Sequence, residues 1–200
     1  MGRQAVGALL AIALAWALPA RAQDSAADPS ARLVSAALEQ TRRAVLYDGS
    51  YRRIPYPNGD VPPDRGVCTD VVIRAYRALG IDLQQRVHEE MTAHFDAFPK
   101  LWGMRRPDPN IDHRRVPNLQ AYFARAGVVL PATREPGDYR AGELVTWRLP
   151  GNLPHIGIVA DRRSADGARP LIVHNIGAGP KLEDMLLAYP ITGHYRYPKP

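Results

Sequence analysis

Apolar positions recur at two different periods along this chain, helical in the first two thirds and strand-like in the last. Residues 23–29 are small and polar and read as a flexible lead-in. From Ser30, a candidate cap, Val34, Ala37, Leu38, Thr41 and Val45 fall on one helical face, and Asp48-Gly49 stops the run. Residues 50–66 are punctuated by Pro55, Pro57, Asn58-Gly59, Pro62-Pro63 and Gly66 and read as loop. A helix beginning at Cys68 would bury Val71, Val72, Ala75, Tyr76 and Leu79, with Gly80 as its C-terminal cap. The spacing of Leu83, Val87, Met91 and Phe95 predicts another helix over 83–95, and residues 99–115 read as irregular. A short helix from about Pro117 to Ala126 closes at Gly127. Beyond residue 142 the character changes: 143–149, 155–160, 171–176 and 191–197 are short β-type runs separated by Gly, Pro and Asp. Helices first and strands afterwards predict an α+β domain, its N-terminal helices packed on a C-terminal antiparallel sheet.

The ends and the charge narrow the class. Arg3, an apolar stretch over 5–18 and Ala20-Arg21-Ala22 form the pattern of a cleaved export signal over residues 1–22. The apolar core of about 14 residues falls short of the roughly 20 needed to span a bilayer. The expectation is therefore secretion across the inner membrane to a bacterial periplasm, with no stable membrane insertion after cleavage. The rest divides into a lead-in and helix over 23–49 and a domain over 50–200, sharing one core with 30–49. Lys and Arg number 26 against 20 Asp and Glu, and two of the arginines lie in the leader. The basic residues come in pairs without interleaved aromatics, which argues against nucleic acid as a partner.

Candidate chemistry centres on one cysteine. Cys68 is the only one in the chain, so an exported protein offers it no intramolecular disulfide partner. At a helix N-terminus, free N–H groups and the helix dipole favour a thiolate; the competing reading is a buried packing residue. Asp70, in the same first turn, would cap the helix and raise the thiol's pKa. If 155–160 and 171–176 form a hairpin with residue 160 opposite 171, Gly157 lies opposite His174. His155 and His174 then share a sheet face one diagonal step apart, roughly 7–8 Å between α-carbons. A one-residue slip would send His174 to the far face. Gly157 on that face would leave room for a helix end or substrate. Cys68 as nucleophile, His155 as base and His174 as its orienter form a candidate set for thiol hydrolysis of an amide.

Four segments keep the order of a known family. Gly66-Val67-Cys68-Thr69-Asp70-Val71-Val72, Gly142-Glu143-Leu144-Val145-Thr146-Trp147, His155-Ile156-Gly157-Ile158-Val159 and Ile172-Val173-His174-Asn175 resemble the NlpC-type branch of papain-like cysteine peptidases. The resemblance implies a papain-like α+β fold, Cys68, His155 and His174 as catalytic residues, and peptide amides of peptidoglycan as substrate. It also implies a tyrosine that helps bind the oxyanion; Tyr56, twelve positions before Cys68, and Tyr51 compete for that place. The sequence departs from the family's Asp-Cys-Ser-Gly at Val67-Cys68-Thr69-Asp70, which puts substrate contacts by Asp70 in question. Nearly the whole mature chain more closely resembles a bacterial exported family known as a domain of unknown function, through 110–119 and 193–197. Asp112 and His113, inside the first of these, are candidate substrate contacts or a structural turn.

No metal or cofactor is expected. His88-Glu89-Glu90-Met91-Thr92 begins like a zincin motif, but Thr92 stands where the second ligand belongs. Gly177-Ala178-Gly179-Pro180 lacks the lysine of a phosphate loop, and His194 reads as core or sheet edge. The sequence thus carries an exported cysteine hydrolase of cell-wall peptides as its first reading. A non-catalytic cell-wall or protein-binding module on the same fold is the alternative, and an acyltransferase using the same residues is a third.

Overall fold

Asp28 opens the first helix: its side chain accepts the Ser30 N–H at 3.2 Å, and Pro29 occupies the first turn of α1 (Pro29–Gln40). The computed structural model describes residues 1–2 and 28–199; most of the expected leader lies outside them. Helix α1 ends earlier than its periodicity predicts. The Thr41 hydroxyl bonds the Leu38 carbonyl at 2.8 Å, and Leu46–Tyr47 form β1, which pairs in parallel with β2 (Arg65–Gly66). That pairing sets Tyr47 opposite Gly66, two residues before Cys68.

Helix α2 (Cys68–Arg77) starts without a polar cap at Val67, and Asp70 compensates by accepting the Val67 N–H at 2.6 Å. Helix α3 (Leu83–Ala93) is capped by Asp82 and ends before Phe95, which enters a 3-10 turn. Helix α4 (Val116–Ala126) carries Pro117 in its first turn. None of the described helices is long and apolar enough to cross a membrane.

The remaining strands build one antiparallel sheet. In chain order they are β3 (Val128–Val129), β4 (Leu144–Leu149), β5 (Leu153–Arg163), β6 (Pro170–His174), β7 (Lys181–Glu183) and β8 (Ile191–Arg196). The spatial order is β3-β8-β4-β5-β6-β7. Side chains alternate across it. Leu144, Ile156, Ile158, Val173 and Tyr195 join Leu33, Val34, Val72 and Leu119 in the core under the helices. Val145, Trp147, Val159 and Ile172 face the other way and are covered by Tyr139, Met185 and Leu186. Burial of each such large side chain contributes about 1.5–3 kcal/mol. The architecture is α+β, with helices from the N-terminal half against a C-terminal antiparallel sheet.

Register is what positions the site. Ile158 pairs with Val173 and Val159 with Ile172, the register expected from sequence, and it puts Gly157 opposite His174. The room expected beside Gly157 is already filled. A Cβ there would lie 2.6 Å from Ile172 Cγ2 and 3.1 Å from His174 Cβ, so the glycine lets β6 pack instead of admitting a ligand. Strand β5 also runs on to Arg163, paired with Pro170 beyond a bulge. Strands β3 and β7, two and three residues long, are too short to leave a periodic signal.

Candidate active site

Cys68 is the first residue of α2, and only 4% of it is exposed. The expected thiolate is overturned by desolvation. Burial pushes the thiol up to about 12, and Asp70 adds to the rise, against backbone N–H groups of Ile156, Thr69 and Cys68 that favour the charged form. Those N–H groups also locate the sulfur: it lies against β5 at Ile156, the residue that follows His155.

From His155 a chain of polar contacts runs to the sheet edge. His155 Nε2 lies 3.0 Å from His174 Nδ1, the rings nearly perpendicular at 89°. His174 Nε2 lies 3.0 Å from the Glu183 carboxylate on β7. Both histidines are buried. Burial lowers His155 to about 3, with His174 lowering it further. Burial also lowers His174, against the raising influence of Glu183. Glu183 was not among the sequence candidates because its strand was not legible. With Nε2 of His155 engaged by His174, Nδ1 is the ring nitrogen left without a hydrogen-bond partner.

These values decide the resting state. At pH 7, ionising a thiol of pKa about 12 costs about 7 kcal/mol, and protonating an imidazole of pKa about 3 costs about 5 kcal/mol. The free protein therefore holds neutral thiol and neutral imidazole.

The tyrosine beside the thiol is neither sequence candidate. Tyr47, on β1, is 43% exposed, but its hydroxyl is raised to about 12 by partial burial and by the charges of Cys68 and Asp70, so it keeps its proton at neutral pH. Tyr56 packs edge-on against His88, and Tyr51 accepts a hydrogen bond from Asn110 Nδ2 at 3.1 Å. Sequence spacing missed Tyr47 because it reaches the site through the β1–β2 pairing.

Asp70, Asp112 and His113, held as substrate contacts, are all buried. Asp70 uses one oxygen on Val67 N–H and both on the Arg114 guanidinium, which leaves it structural. Asp112 accepts Arg115 Nη1 at 3.1 Å and belongs to a 3-10 turn with His113 (Asp112–Arg114). Arg114 carries the coupling to the thiol helix, because its carbonyl accepts the Thr69 hydroxyl at 3.1 Å. His194 is buried too, between the Pro131 carbonyl and Glu143, which also binds Arg196. Among the described residues no cluster of His, Cys, Asp or Glu is arranged to hold a metal ion.

A cavity of about 680 Å³ is lined by two neighbours of His155. Trp147, its register partner, and Pro154, its chain neighbour, form one side, with the Trp147 and His155 rings 6.0 Å apart. Trp102 lines the same cavity, more than half exposed, with the Arg115 guanidinium 4.5 Å from its ring centroid.

The class so defined is an α+β domain with a thiol at a helix head, set against a sheet that carries linked imidazoles. Residues 34–197 match the family described as "Domain of unknown function (DUF1287)", and the chain belongs to that family. It is similar to "Uncharacterized protein YijF" of Escherichia coli (strain K12), 46% identical over 181 residues, 90% of this chain and 88% of that protein. Among solved structures it is similar to that of NlpC1 from Trichomonas vaginalis, at 16% identity and a TM-score of 0.49. That match covers 88% of this chain and 46% of the other, so this chain spans less than half of its length.

Proposed function

We propose that the protein is an exported cysteine hydrolase that cleaves amide bonds, with Cys68 as nucleophile and His155 as general base. The observation that carries this reading is a helix-borne thiol whose sulfur meets the β5 backbone at Ile156, the residue after His155, together with the polar chain His155–His174–Glu183 on the same sheet. A neutral pair implies general-base attack: the sulfur bonds to the carbonyl carbon as its proton passes to His155 Nδ1. The oxyanion accepts hydrogen bonds from the Tyr47 hydroxyl and the Cys68 N–H. The C–N bond then breaks, and His155 gives its proton to the leaving amine. Water, deprotonated by His155, releases the acyl group and restores the thiol.

The four-segment resemblance to NlpC-type peptidases names the substrate of this reading, a peptide amide in peptidoglycan, and the leader pattern names its place, the periplasm. Incubating purified peptidoglycan fragments with wild type, Cys68→Ala and His155→Ala tests it. Turnover by the wild type and none by either folded variant is the expected result; turnover by Cys68→Ala would remove the proposal.

One observation favours a second reading, a non-catalytic binding module. The thiol is almost wholly buried and neutral, as a packing cysteine would be. Wild type and Cys68→Ala that bind the fragments equally and leave them intact would establish it.

A further inference from the structure

We propose that Glu183 is a positioning residue that sets the direction of protons along the two histidines, so that Nδ1 of His155 is left unprotonated and able to act as a base. This rests on the hydrolase reading above for its catalytic consequence, though not for its structural content. The argument runs inward from the sheet edge. Strand β7 is the outermost strand, and its Glu183 side chain is 42% exposed while His174 beside it is 1% exposed. A carboxylate only accepts hydrogen bonds, so at 3.0 Å the Nε2 of His174 must carry a proton. The opposite tautomer would set two lone pairs against each other.

A neutral His174 with its proton on Nε2 has a bare Nδ1. That Nδ1 is 3.0 Å from His155 Nε2, which must therefore be the donor. A neutral His155 with its proton on Nε2 has a bare Nδ1 in turn. The orientation of one partly exposed carboxylate thus fixes which nitrogen of a ring two residues removed is basic. Burial holds His174 neutral despite Glu183, and Lys181, its register partner on β7, works in the same direction. Were His174 charged, both its nitrogens would donate, His155 Nε2 would accept, and Nδ1 would carry the proton and be useless as a base.

The same arrangement serves the reaction. When His155 takes the thiol proton, the new positive charge lies in a buried ring, and His174 links it by hydrogen bonds to a carboxylate already in contact with water. Glu183 therefore needs no burial of its own charge to act.

The test uses the full chain with ¹⁵N-labelled histidine and long-range ¹H–¹⁵N correlation at neutral pH, beside steady-state kinetics. The wild type should show Nε2–H on both His155 and His174. In Glu183→Ala both rings should become tautomer mixtures, and kcat should fall about 10–100-fold with KM held within about twofold. Glu183→Gln, which keeps an acceptor oxygen, should retain the His174 tautomer and most of kcat. Nδ1–H on His174 in the wild type, or unchanged tautomers in Glu183→Ala, would overturn the inference. Expected tautomers in a protein that hydrolyses no amide would uphold the assignment of the protons and overturn the hydrolase reading instead.

Discussion

The Asp70 carboxylate and the Arg114 guanidinium meet in two N–H···O bonds of 2.9 Å, with each side chain at most 3% exposed. Arg114 also reaches the carbonyls of Asp48 and Ser50, tying the segment after β1 to the first turn of the thiol helix. Breaking a buried pair from one side leaves an uncompensated charge, which costs about 3–5 kcal/mol. Arg114→Ala should lose stability of that order in urea unfolding. The double variant Asp70→Asn/Arg114→Met should recover a large part of it, since no charge is then stranded.

Tyr47 is expected to act on the rate and not on the fold. Its hydroxyl keeps its proton because burial and two nearby acidic groups raise it to about 12. Loss of one oxyanion donor costs about 10²–10³ in kcat where measured in other hydrolases. Tyr47→Phe should lower kcat by about 100-fold with little change in KM, and Tyr51→Phe and Tyr56→Phe should leave kcat within about twofold. Equal losses in all three would show that the ring near Gly66 has no special place.

Acid should destabilise the protein through its buried histidines. His155 and His113 are both lowered to about 3, in each case chiefly by burial, from an ordinary value near 6.5. Between those limits the unfolded chain binds protons that the folded protein does not. Stability is therefore complete above about pH 6.5 and declines as pH falls towards 3, by about 1.4 kcal/mol per pH unit for each histidine. Urea midpoints from pH 7 to pH 4 should fall accordingly, and less steeply in His113→Gln than in the wild type. A flat profile would contradict the burial of these rings.

The resting thiol should be slow to alkylate. A sulfhydryl raised to about 12 and 4% exposed is almost entirely protonated and shielded at pH 7.5. Iodoacetamide should modify Cys68 at least about 100-fold more slowly in the folded protein than in urea. Fast labelling of the native protein would mean that the site holds a thiolate, contrary to the neutral pair.

The helices and long strands were legible in the sequence because each buries one face against a large core. Val71, Val72 and Tyr76 recur at helical spacing, and Ile156, Ile158 and Val173 alternate with residues of the opposite face. The His155–His174 neighbourhood was legible as one of the registers the pattern allows, and the pairing of Ile158 with Val173 selects it. What stayed hidden depends on contacts distant in sequence. Helix α1 stops at Gln40 because Leu46–Tyr47 pair with Arg65–Gly66. That pairing brings in Tyr47, and the three-residue β7 brings in Glu183. The thiol's charge state was misjudged because a helix terminus is visible in sequence, whereas the depth of the sulfur beneath its neighbours is not.

Intact-mass analysis of the protein after rapid acid quenching with peptidoglycan fragments tests the central claim most directly. The account expects an acyl adduct on the peptide containing Cys68, formed and lost at the rate of turnover, absent in Cys68→Ala and in His155→Ala. Product release with no adduct on that peptide at any time, or the same products from Cys68→Ala, would contradict it.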